Sequence, residues 1–213
     1  MIRRHPAAIV FVSLLVACML AGCLGAQAPK IPAPKAPAPP KAPSLPDYFP
    51  AAVGSIWDFE GHGNEYASYV RTVVHRLGDK TQIEVNNGGT VTGEVYRITA
   101  NEVRQVYFTG EFYTRESLLD AKENRQDVVL KAPLEPGQKW ETSKTTKTIE
   151  QVGLEVTVPA GTFKQVVKVV SVQKDSSWRT YEYYAPGVGS IKCEYTDGTD
   201  TISSLLKSYK PAK

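Results

Sequence analysis

The sequence predicts an all-β domain, either an antiparallel β-barrel or a strongly curved half-barrel sheet of about ten strands. Three observations support this prediction. From residue 48 onward the chain is rich in valine, threonine, tyrosine and isoleucine, which favour strands. Glycine pairs and Asn-Gly or Asp-Gly steps, which favour hairpins, interrupt these segments roughly every 8 to 12 residues. Only residues 114–126 could form a helix, and a long loop is an equally good interpretation.

The first residues have the pattern of a signal peptide. Arg3 and Arg4 precede an uncharged, apolar run over residues 7–20, which only Ser13 interrupts. This run is shorter than the roughly 20 apolar residues that a membrane span requires, but it fits a secretory signal. It ends in LAGC at residues 20–23. This motif resembles the bacterial lipobox, in which the cysteine sulfur receives a diacylglyceryl group and the chain is cut just before it.

By that resemblance residues 1–22 form a lipoprotein signal peptide, Gly22 is the last residue removed, and Cys23 is the lipid attachment site. The new amino terminus can then be acylated, for example with palmitate. Two acyl chains hold a protein on a bilayer where one does not, because each buried methylene contributes about 0.8 kcal/mol. We therefore expect a protein that is anchored to the cell membrane through Cys23 and faces the extracytoplasmic side. The alternative is an ordinary signal peptide with an incidental cysteine.

Residues 23–47 combine the lipidated cysteine with a linker of mainly proline, alanine and lysine. This composition buries too little apolar surface to fold, so we expect the linker to be disordered. Its prolines favour an extended polyproline II spacer of about 3.1 Å per residue, which could hold the domain up to roughly 70 Å above the membrane. The alternative is a proline-rich ligand for a binding module.

Residues 48–213 are predicted to form the β domain. Within the segment LEVTV, Leu154, Val156 and Val158 share one face, a period of two that belongs to a half-buried strand. The NNGG segment at residues 86–89 and the Asp197-Gly198 step predict tight hairpins between strands.

Two segments share one pattern of proline, glycine and tryptophan. PAAVGSIW begins at Pro50 and PLEPGQKW begins at Pro133, with glycine and tryptophan at the same spacing in both. A weaker match relates EVYRITANEVRQV, residues 94–106, to EYYAPGVGSIKC, residues 182–193. These matches are either a coincidence of turn-then-strand sequences or the trace of an ancient duplication.

The duplication hypothesis divides the β domain into two related halves, 48–131 and 132–210. Proline fixes φ at an entry turn, glycine permits a positive φ, and tryptophan brings a large apolar area to the core. If the halves are related, Trp57 and Trp140 begin strands at equivalent places and both indoles are largely buried. The two halves would then curve about a shared interior.

The sequence predicts no catalytic residue, no metal site and no cofactor. GVGS does not match the Gly-x-Ser-x-Gly nucleophile elbow, and neither a Walker loop nor a dinucleotide fingerprint is present. The segment FEGHGNE groups Glu60, His62, Asn64 and Glu65, which could hold a divalent cation, but we favour a solvated hairpin. The folded part is close to neutral, so no nucleic-acid partner is expected.

Cys193 is the only free thiol of the predicted mature chain, because Cys18 lies in the signal segment and Cys23 carries lipid. No intramolecular disulfide is therefore possible. A thiol becomes a nucleophile only when a neighbouring base or cation lowers its pKa, and no histidine partner is evident. We expect a buried structural cysteine, with a reactive nucleophile as the alternative.

Aromatic residues are the remaining candidates for ligand binding. Tyrosines on one concave face could bind an apolar or amphipathic ligand, although aromatic residues more often simply fill and rim a β core. Tyr181 and Tyr183 are predicted to share a face. The aromatic residues on predicted strands or at strand ends are Tyr66, Tyr69, Tyr96, Tyr107, Phe108, Phe112, Tyr113, Tyr181, Tyr183 and Tyr184.

Three segments resemble parts of uncharacterised lipoproteins and secreted proteins of spore-forming Gram-positive bacteria. They are DYFPAAVGSIWDFEGHGNEYASYVR from Asp47, VPAGTFKQVVKV from Val158 and YEYYAPGVGSIK from Tyr181, within a match over residues 47–210. The resemblance implies an extracytoplasmic location and a compact β domain, and it transfers no catalytic residue. YAPGVG also resembles, more loosely, half-barrel domains of envelope lipoproteins that handle lipids or other lipoproteins.

The leading hypothesis is a lipid-anchored, non-enzymatic domain of the cell envelope that binds an apolar ligand or an envelope protein partner. The alternatives are an envelope hydrolase with a carboxylate-based site and a purely structural surface lipoprotein. The lining of the domain's interior distinguishes them. An aromatic-lined concavity favours binding, converging carboxylates favour catalysis, and an interior filled by the protein's own side chains favours a spacer.

Overall fold

The computed structural model describes residues 42–212, which form one antiparallel sheet of twelve strands. The predicted all-β, antiparallel fold is therefore confirmed. Two short 3-10 helices, Leu45–Tyr48 and Glu65–Ala67, are the only helices among the described residues. The strands are β1 (Ile56–His62), β2 (Tyr69–Leu77), β3 (Lys80–Asn86), β4 (Val91–Ile98), β5 (Glu102–Thr109), β6 (Asp127–Lys131), β7 (Lys139–Glu141), β8 (Thr145–Val158), β9 (Gly161–Gln173), β10 (Arg179–Ala185), β11 (Gly189–Thr196) and β12 (Thr201–Lys210).

The sheet consists of two consecutive meanders that curve into a nearly closed barrel. Strands β1 to β6 follow one another across the sheet, strands β7 to β12 do the same, and β1 pairs with β12 where the meanders meet. The two edge strands, β6 and β7, approach each other on the far side. There the Trp140 indole N–H on β7 donates to the Val128 carbonyl on β6 at 2.9 Å.

The N-terminal segment closes one end of the barrel, at the turns β2–β3, β4–β5 and β10–β11. Leu45, Tyr48 and Phe49 are buried there in the main apolar core. The Gly187 N–H, in the β10–β11 turn, donates to the Asp47 carbonyl at 2.7 Å. We call this end the closed end, and the opposite end, at the turns β1–β2, β3–β4 and β11–β12, the open end.

Residues 114–126 form a loop without a helix, so the loop interpretation of this segment is correct. The loop packs on the outside of the sheet, where the Gln82 side chain on β3 binds it at two points. The Gln82 amide donates to the Glu116 carbonyl at 2.9 Å and accepts from the Leu118 N–H at 2.7 Å. Because Gln82 is fully buried, these bonds satisfy a polar group that would otherwise be costly to bury.

Most local strand predictions agree with the structure. The alternation over Leu154, Val156 and Val158 falls within β8, and the NNGG segment forms the β3–β4 turn. Asp197 and Gly198 lie in the β11–β12 turn, where Gly198 has φ +98°. The short strand β6 was not among the predicted segments.

The two Pro–Gly–Trp segments form the same turn. The Ser55 N–H donates to the Ala52 carbonyl at 3.1 Å, and the Gln138 N–H donates to the Glu135 carbonyl, also at 3.1 Å. The glycine before each donor, Gly54 and Gly137, has φ +93° and +88° respectively, a conformation that a residue with a Cβ rarely adopts.

Each turn is also bonded to the next strand in the same way. Gly54 and Ser55 exchange N–H···O bonds of 2.8 and 3.0 Å with Val73 on β2, while Gly137 and Gln138 exchange bonds of 2.8 and 2.9 Å with Ile149 on β8. Trp57 and Trp140 follow at the second residues of β1 and β7 and are 6% and 5% exposed. The predicted places and burial of both tryptophans are confirmed.

The pairing register continues this equivalence across three further strands. Val73 pairs with Ile83 on β3, which pairs with Glu94 on β4. In the second meander Ile149 pairs with Val169 on β9, which pairs with Glu182 on β10. The weaker sequence match therefore falls on corresponding strands, and a register shift follows at the same step of both, after residues 95 and 183. The common origin of the two halves stays a prediction.

Candidate ligand-binding site

The predicted anchor lies outside the described residues. Gly22, Cys23, the signal segment 1–22 and the linker up to residue 41 are not among residues 42–212, so their assignments stay predictions. Within the described range no helix has the length and apolar character to cross a membrane.

The aromatic candidates divide between the interior and the outer surface of the barrel. Tyr69, Tyr96 and Tyr184 share the inner face with core residues. Tyr181 and Tyr183 share a face, as predicted, but the Lys168 ammonium lies over both rings, 4.4 and 5.6 Å from their centroids, on the outside. Phe108 pairs with Glu94 and so shares the inner face, where the Arg125 guanidinium lies over its ring. The remaining four lie away from the interior: Tyr66 and Tyr113 are 57% and 59% exposed, and Phe112 and Tyr107 belong to the small cluster under the 114–126 loop.

A cavity of about 200 Å³ opens at the open end of the barrel. Its walls are Tyr69 and Arg71 from β2, Val85 from β3, and Glu94 and Tyr96 from β4. Alternate residues of a strand point to the same face, so Tyr69 and Arg71 lie on the inner face with the core residue Val73. The interior is thus apolar towards the closed end and polar towards the open end.

Arg71 has no polar partner within the described part of the chain. Its guanidinium forms no hydrogen bond or ion pair there, and its Nε atom is buried without an acceptor. The Phe49 and Tyr96 rings lie on it, each with its centroid 5.9 Å from the Arg71 Cζ atom. Burial acts to lower the pKa of Arg71, but Tyr96, Glu94, Tyr69 and Tyr184 together raise it by more, so the side chain stays charged. A half-buried cation, with its Nε atom fully buried, therefore faces a cavity that reaches solvent.

Two Glu-x-Tyr pairs lie on the inner face, one in each half. The Tyr96 hydroxyl donates to the Glu94 carboxylate at 2.5 Å, and the Tyr184 hydroxyl donates to the Glu182 carboxylate at 2.9 Å. Burial raises the pKa of both tyrosines well above its ordinary value, and the adjacent glutamate raises it further. The hydroxyls therefore stay protonated and orient both carboxylates.

Besides burial, the charges of Glu94 and Glu182 both raise the pKa of a third tyrosine, Tyr69. Burial raises the pKa of Tyr69, and the charges of Glu182 and Glu94 add to this increase. The charges of two carboxylates from different halves of the barrel therefore act on the same side chain, which the charge of Arg71 affects in the opposite direction.

Cys193 lies on β11 directly opposite Glu182. Burial raises the pKa of its thiol to about 12, and the charges of Glu182 and Glu194 contribute to the increase. A thiol with this pKa is protonated at neutral pH, so it is a poor nucleophile. These surroundings favour the structural interpretation of Cys193 over the nucleophilic one.

The loop around FEGHGNE is a solvated turn. The His62 Nε2 atom lies 3.2 Å from a Glu60 carboxylate oxygen, and the two side chains are 55% and 45% exposed. The Asn64 side chain accepts from the Tyr66 N–H at 2.7 Å and so caps the short 3-10 helix that follows. In residues 42–212 no group of three metal-ligating side chains converges.

Sequence reasoning missed the charged residues of the interior, although a signal for them was present. Arg71 lies between Tyr69 and Val73 on the apolar face of a strand, and Lys147 lies two residues before Ile149 in the same way. A charged residue on an apolar strand face must either find a partner or serve a function. The Glu-x-Tyr spacing repeats within the weaker internal match, and this repetition is the signal for the two buried carboxylates.

Comparison with known proteins gives two structural neighbours. No family model matches the sequence, and no curated protein matches it. A Bacteroides fragilis protein, provisionally described as exported and with a YmcC-like fold, has 14% identity and a TM-score of 0.48. A Parabacteroides distasonis protein, provisionally described as a lipoprotein, has 16% identity and a TM-score of 0.42. Each match covers 80% of this chain and 100% of the other. The resemblance to proteins of spore-forming Gram-positive bacteria stays a prediction.

Proposed function

We propose that this chain is a lipid-anchored, extracytoplasmic and non-enzymatic domain that binds a ligand in the open end of its barrel. The observation that carries this proposal is the charged Arg71 side chain, which lies without a polar partner in a solvent-accessible cavity of about 200 Å³. The ligand is an amphipathic small molecule or an exposed group of an envelope protein partner. A wholly apolar ligand would leave Arg71 and Glu94 unsatisfied.

The energetics of burial favour binding over a purely structural role. Burying a polar group without a hydrogen bond costs about 1 to 3 kcal/mol in proteins. A structural spacer has no reason to maintain such a group, and the closed end of the same barrel is filled with apolar side chains such as Leu45 and Phe49. A ligand that accepts hydrogen bonds from Arg71 would recover this cost.

The binding proposal can be tested by blocking the cavity. Val85→Trp would fill it, whereas Val152→Trp adds the same ring at a position that is already 37% exposed on the β8–β9 hairpin. We would screen a cocktail of phenol, cyclohexanol and methyl glycosides by saturation-transfer NMR. At least one compound should contact the wild-type and Val152→Trp proteins but not the Val85→Trp protein. A cocktail in which no compound distinguishes the two tryptophan variants would refute binding in this cavity.

The lipid anchor is tested separately. Cys23→Ser removes the thiol that the lipobox resemblance assigns to lipidation, so the precursor should remain unprocessed or be released, and partition into the detergent phase should be lost. A serine variant that still partitions with detergent and has the wild-type mature mass would show that the LAGC motif is not a lipobox. This result would leave the cavity proposal unaffected, because Cys23 lies outside the described domain.

One observation favours the alternative of a carboxylate-based hydrolase. Glu94 and Glu182 both act on Tyr69, as a pair of catalytic carboxylates in one cleft would. Hydrolysis of 4-nitrophenyl glycosides or esters, with a loss of more than 100-fold in both Glu94→Gln and Glu182→Gln, would establish that function. We propose binding instead, because each carboxylate is already held by a tyrosine hydroxyl.

A further inference from the structure

We propose that the open-end cavity recognises a neutral, polyhydroxylated group such as a sugar ring, with Arg71 donating hydrogen bonds to it and Glu94 accepting them. This inference rests on the proposed function and names the chemical class of its ligand. It follows from three properties of the cavity: its unused donors and acceptors, its charge balance and its size.

The cavity offers unused donors beside unused acceptors. A guanidinium has five N–H donors in a fixed fork, and Arg71 donates none of them within the described residues. The Glu94 carboxylate has about four acceptor positions, of which the Tyr96 hydroxyl uses one. A ligand that only accepts or only donates would satisfy one of these residues and leave the other without a partner. A pair of neighbouring hydroxyl groups can do both.

The charges of the cavity argue against an ionic ligand. Two unit charges 4 Å apart interact by about 4 kcal/mol at the effective dielectric constant typical near a protein surface. An anion would be attracted by Arg71 but repelled by both Glu94 and Glu182. A cation would be attracted by the carboxylates, but an ammonium group has no lone pair to accept from Arg71. A neutral polar group avoids both conflicts.

The walls and the size of the cavity fit one small ring. Tyr69, Val85 and Tyr96 provide apolar surface next to the polar groups, as the C–H face of a sugar requires. Pockets for drug-sized molecules have about 300 to 1,000 Å³, whereas this cavity has about 200 Å³. We therefore expect it to take a single ring, at the end of a chain or as a monosaccharide.

The test uses the side-chain N–H of Arg71 as its own reporter. The protein would be the ¹⁵N-labelled chain from residue 23 with Cys23→Ser, which keeps every described residue, and Arg71→Lys would assign the Nε–H signal. Four neutral probes, the methyl glycosides of glucose, galactose, mannose and N-acetylglucosamine, would be compared with sodium phosphate and tetramethylammonium chloride. Sodium chloride would serve as the ionic-strength control.

We expect at least one glycoside to shift the Arg71 signal with saturation in the millimolar range, and phosphate and tetramethylammonium to bind at least tenfold more weakly. Arg71→Lys keeps the charge but loses the fork, so it should weaken glycoside binding by more than tenfold. The matched control, Arg76→Lys, changes an arginine on the same strand that donates to the Ala51 carbonyl at the closed end, and it should have no effect.

Three results would overturn this inference, and only the third would also overturn the proposed function. If phosphate or tetramethylammonium binds more tightly than every glycoside, the cavity is a binding site but its ligand is ionic. If no glycoside produces a saturable shift below 0.1 M while phenol or cyclohexanol contacts the cavity, the ligand is not polyhydroxylated. If no probe of any class distinguishes Val85→Trp from Val152→Trp, the proposed function itself fails.

Discussion

Arg71 and Lys147 occupy equivalent places in the two halves of the barrel. Arg71 pairs across strands with Trp57, and Lys147 pairs with Trp140. The Lys147 ammonium lies 3.7 Å from the carboxylate of Asp127. The guanidinium of Arg71 has no such partner among residues 42–212. The same position on the same scaffold is thus satisfied within the fold in the second half and left for an external group in the first.

This difference separates two roles that a buried charge can have. The Lys147–Asp127 ion pair lies beside the gap between the edge strands β6 and β7 and helps to bring the edges of the sheet together. In the first half, where β1 to β4 are continuously paired, the equivalent cation is not needed to join strands. The comparison predicts that the Lys147–Asp127 ion pair contributes mainly to stability and that Arg71 contributes mainly to ligand binding.

The prediction with the largest expected effect concerns the buried tryptophan that each half contains. Trp57 and Trp140 are both almost fully buried, and each indole N–H donates to a backbone carbonyl, of Val188 and Val128 respectively. Either Trp→Ala change should lower the free energy of unfolding by roughly 3 to 5 kcal/mol, measured by urea denaturation. Trp→Phe at the same positions keeps most of the packing and should cost less. A loss below about 1 kcal/mol at either site would show that the two positions are not equivalent.

The second prediction concerns Lys147 and Arg71, the equivalent cations whose partners differ between the two halves. Lys147→Met leaves Asp127 without its partner and should lower the free energy of unfolding by about 1 to 3 kcal/mol, a range reduced because the Asp127 side chain is 41% exposed. Arg71→Met breaks no ion pair and keeps apolar contact with Phe49 and Tyr96, so it should cost less than about 1 kcal/mol. Equal losses in parallel denaturation experiments would contradict the assignment of different roles.

Cys193 gives a pH-dependent test in the second half. Burial raises the pKa of its thiol from 9.0 to about 12, so above pH 9 the unfolded chain loses a proton that the folded chain retains. The stabilisation is fully present below pH 9 and is lost as the pH rises towards 12. Between pH 9 and 10, Cys193→Ala should show a flatter decline in stability than wild type, because the tyrosines that titrate in this range contribute equally to both proteins.

Alkylation provides a second measurement of the same thiol. Because the thiol is protonated and partly buried, iodoacetamide at pH 8 should modify it at least tenfold more slowly than a free cysteine. A rate close to that of free cysteine, or an unchanged pH slope in the alanine variant, would revive the nucleophilic interpretation.

The comparison of the halves also shows which features the sequence could predict. The Pro–Gly–Trp turns repeat over a short, fixed spacing, so the sequence alone located them, whereas the Glu-x-Tyr pairs repeat as regularly but were not predicted. The partner of Lys147 could not be predicted, because Asp127 approaches it only when the edges of the curved sheet meet. Residues 114–126 have apolar positions compatible with a helix, but contacts with Gln82 on a distant strand hold them as a loop. Local patterns were therefore predictable, whereas the unsatisfied state of Arg71 required the tertiary structure.

The last prediction tests the equivalence of the two entry turns without changing the core. A Cβ at Gly54 or at Gly137 would meet no atom within 4 Å, so Gly→Ala at either site changes only the backbone energy. Because φ is +93° and +88°, each change should cost about 1 to 2 kcal/mol. Gly110→Ala is the matched control, since a Cβ there also meets nothing and its φ is not in the left-handed region, so its cost should lie within about 0.5 kcal/mol of zero. Losses at Gly54 and Gly137 that agree within about 0.5 kcal/mol would support two copies of one turn. A difference of more than 1 kcal/mol would mean that the shared hydrogen-bond pattern conceals different backbone constraints, and the structural case for related halves would then depend on the strand register alone.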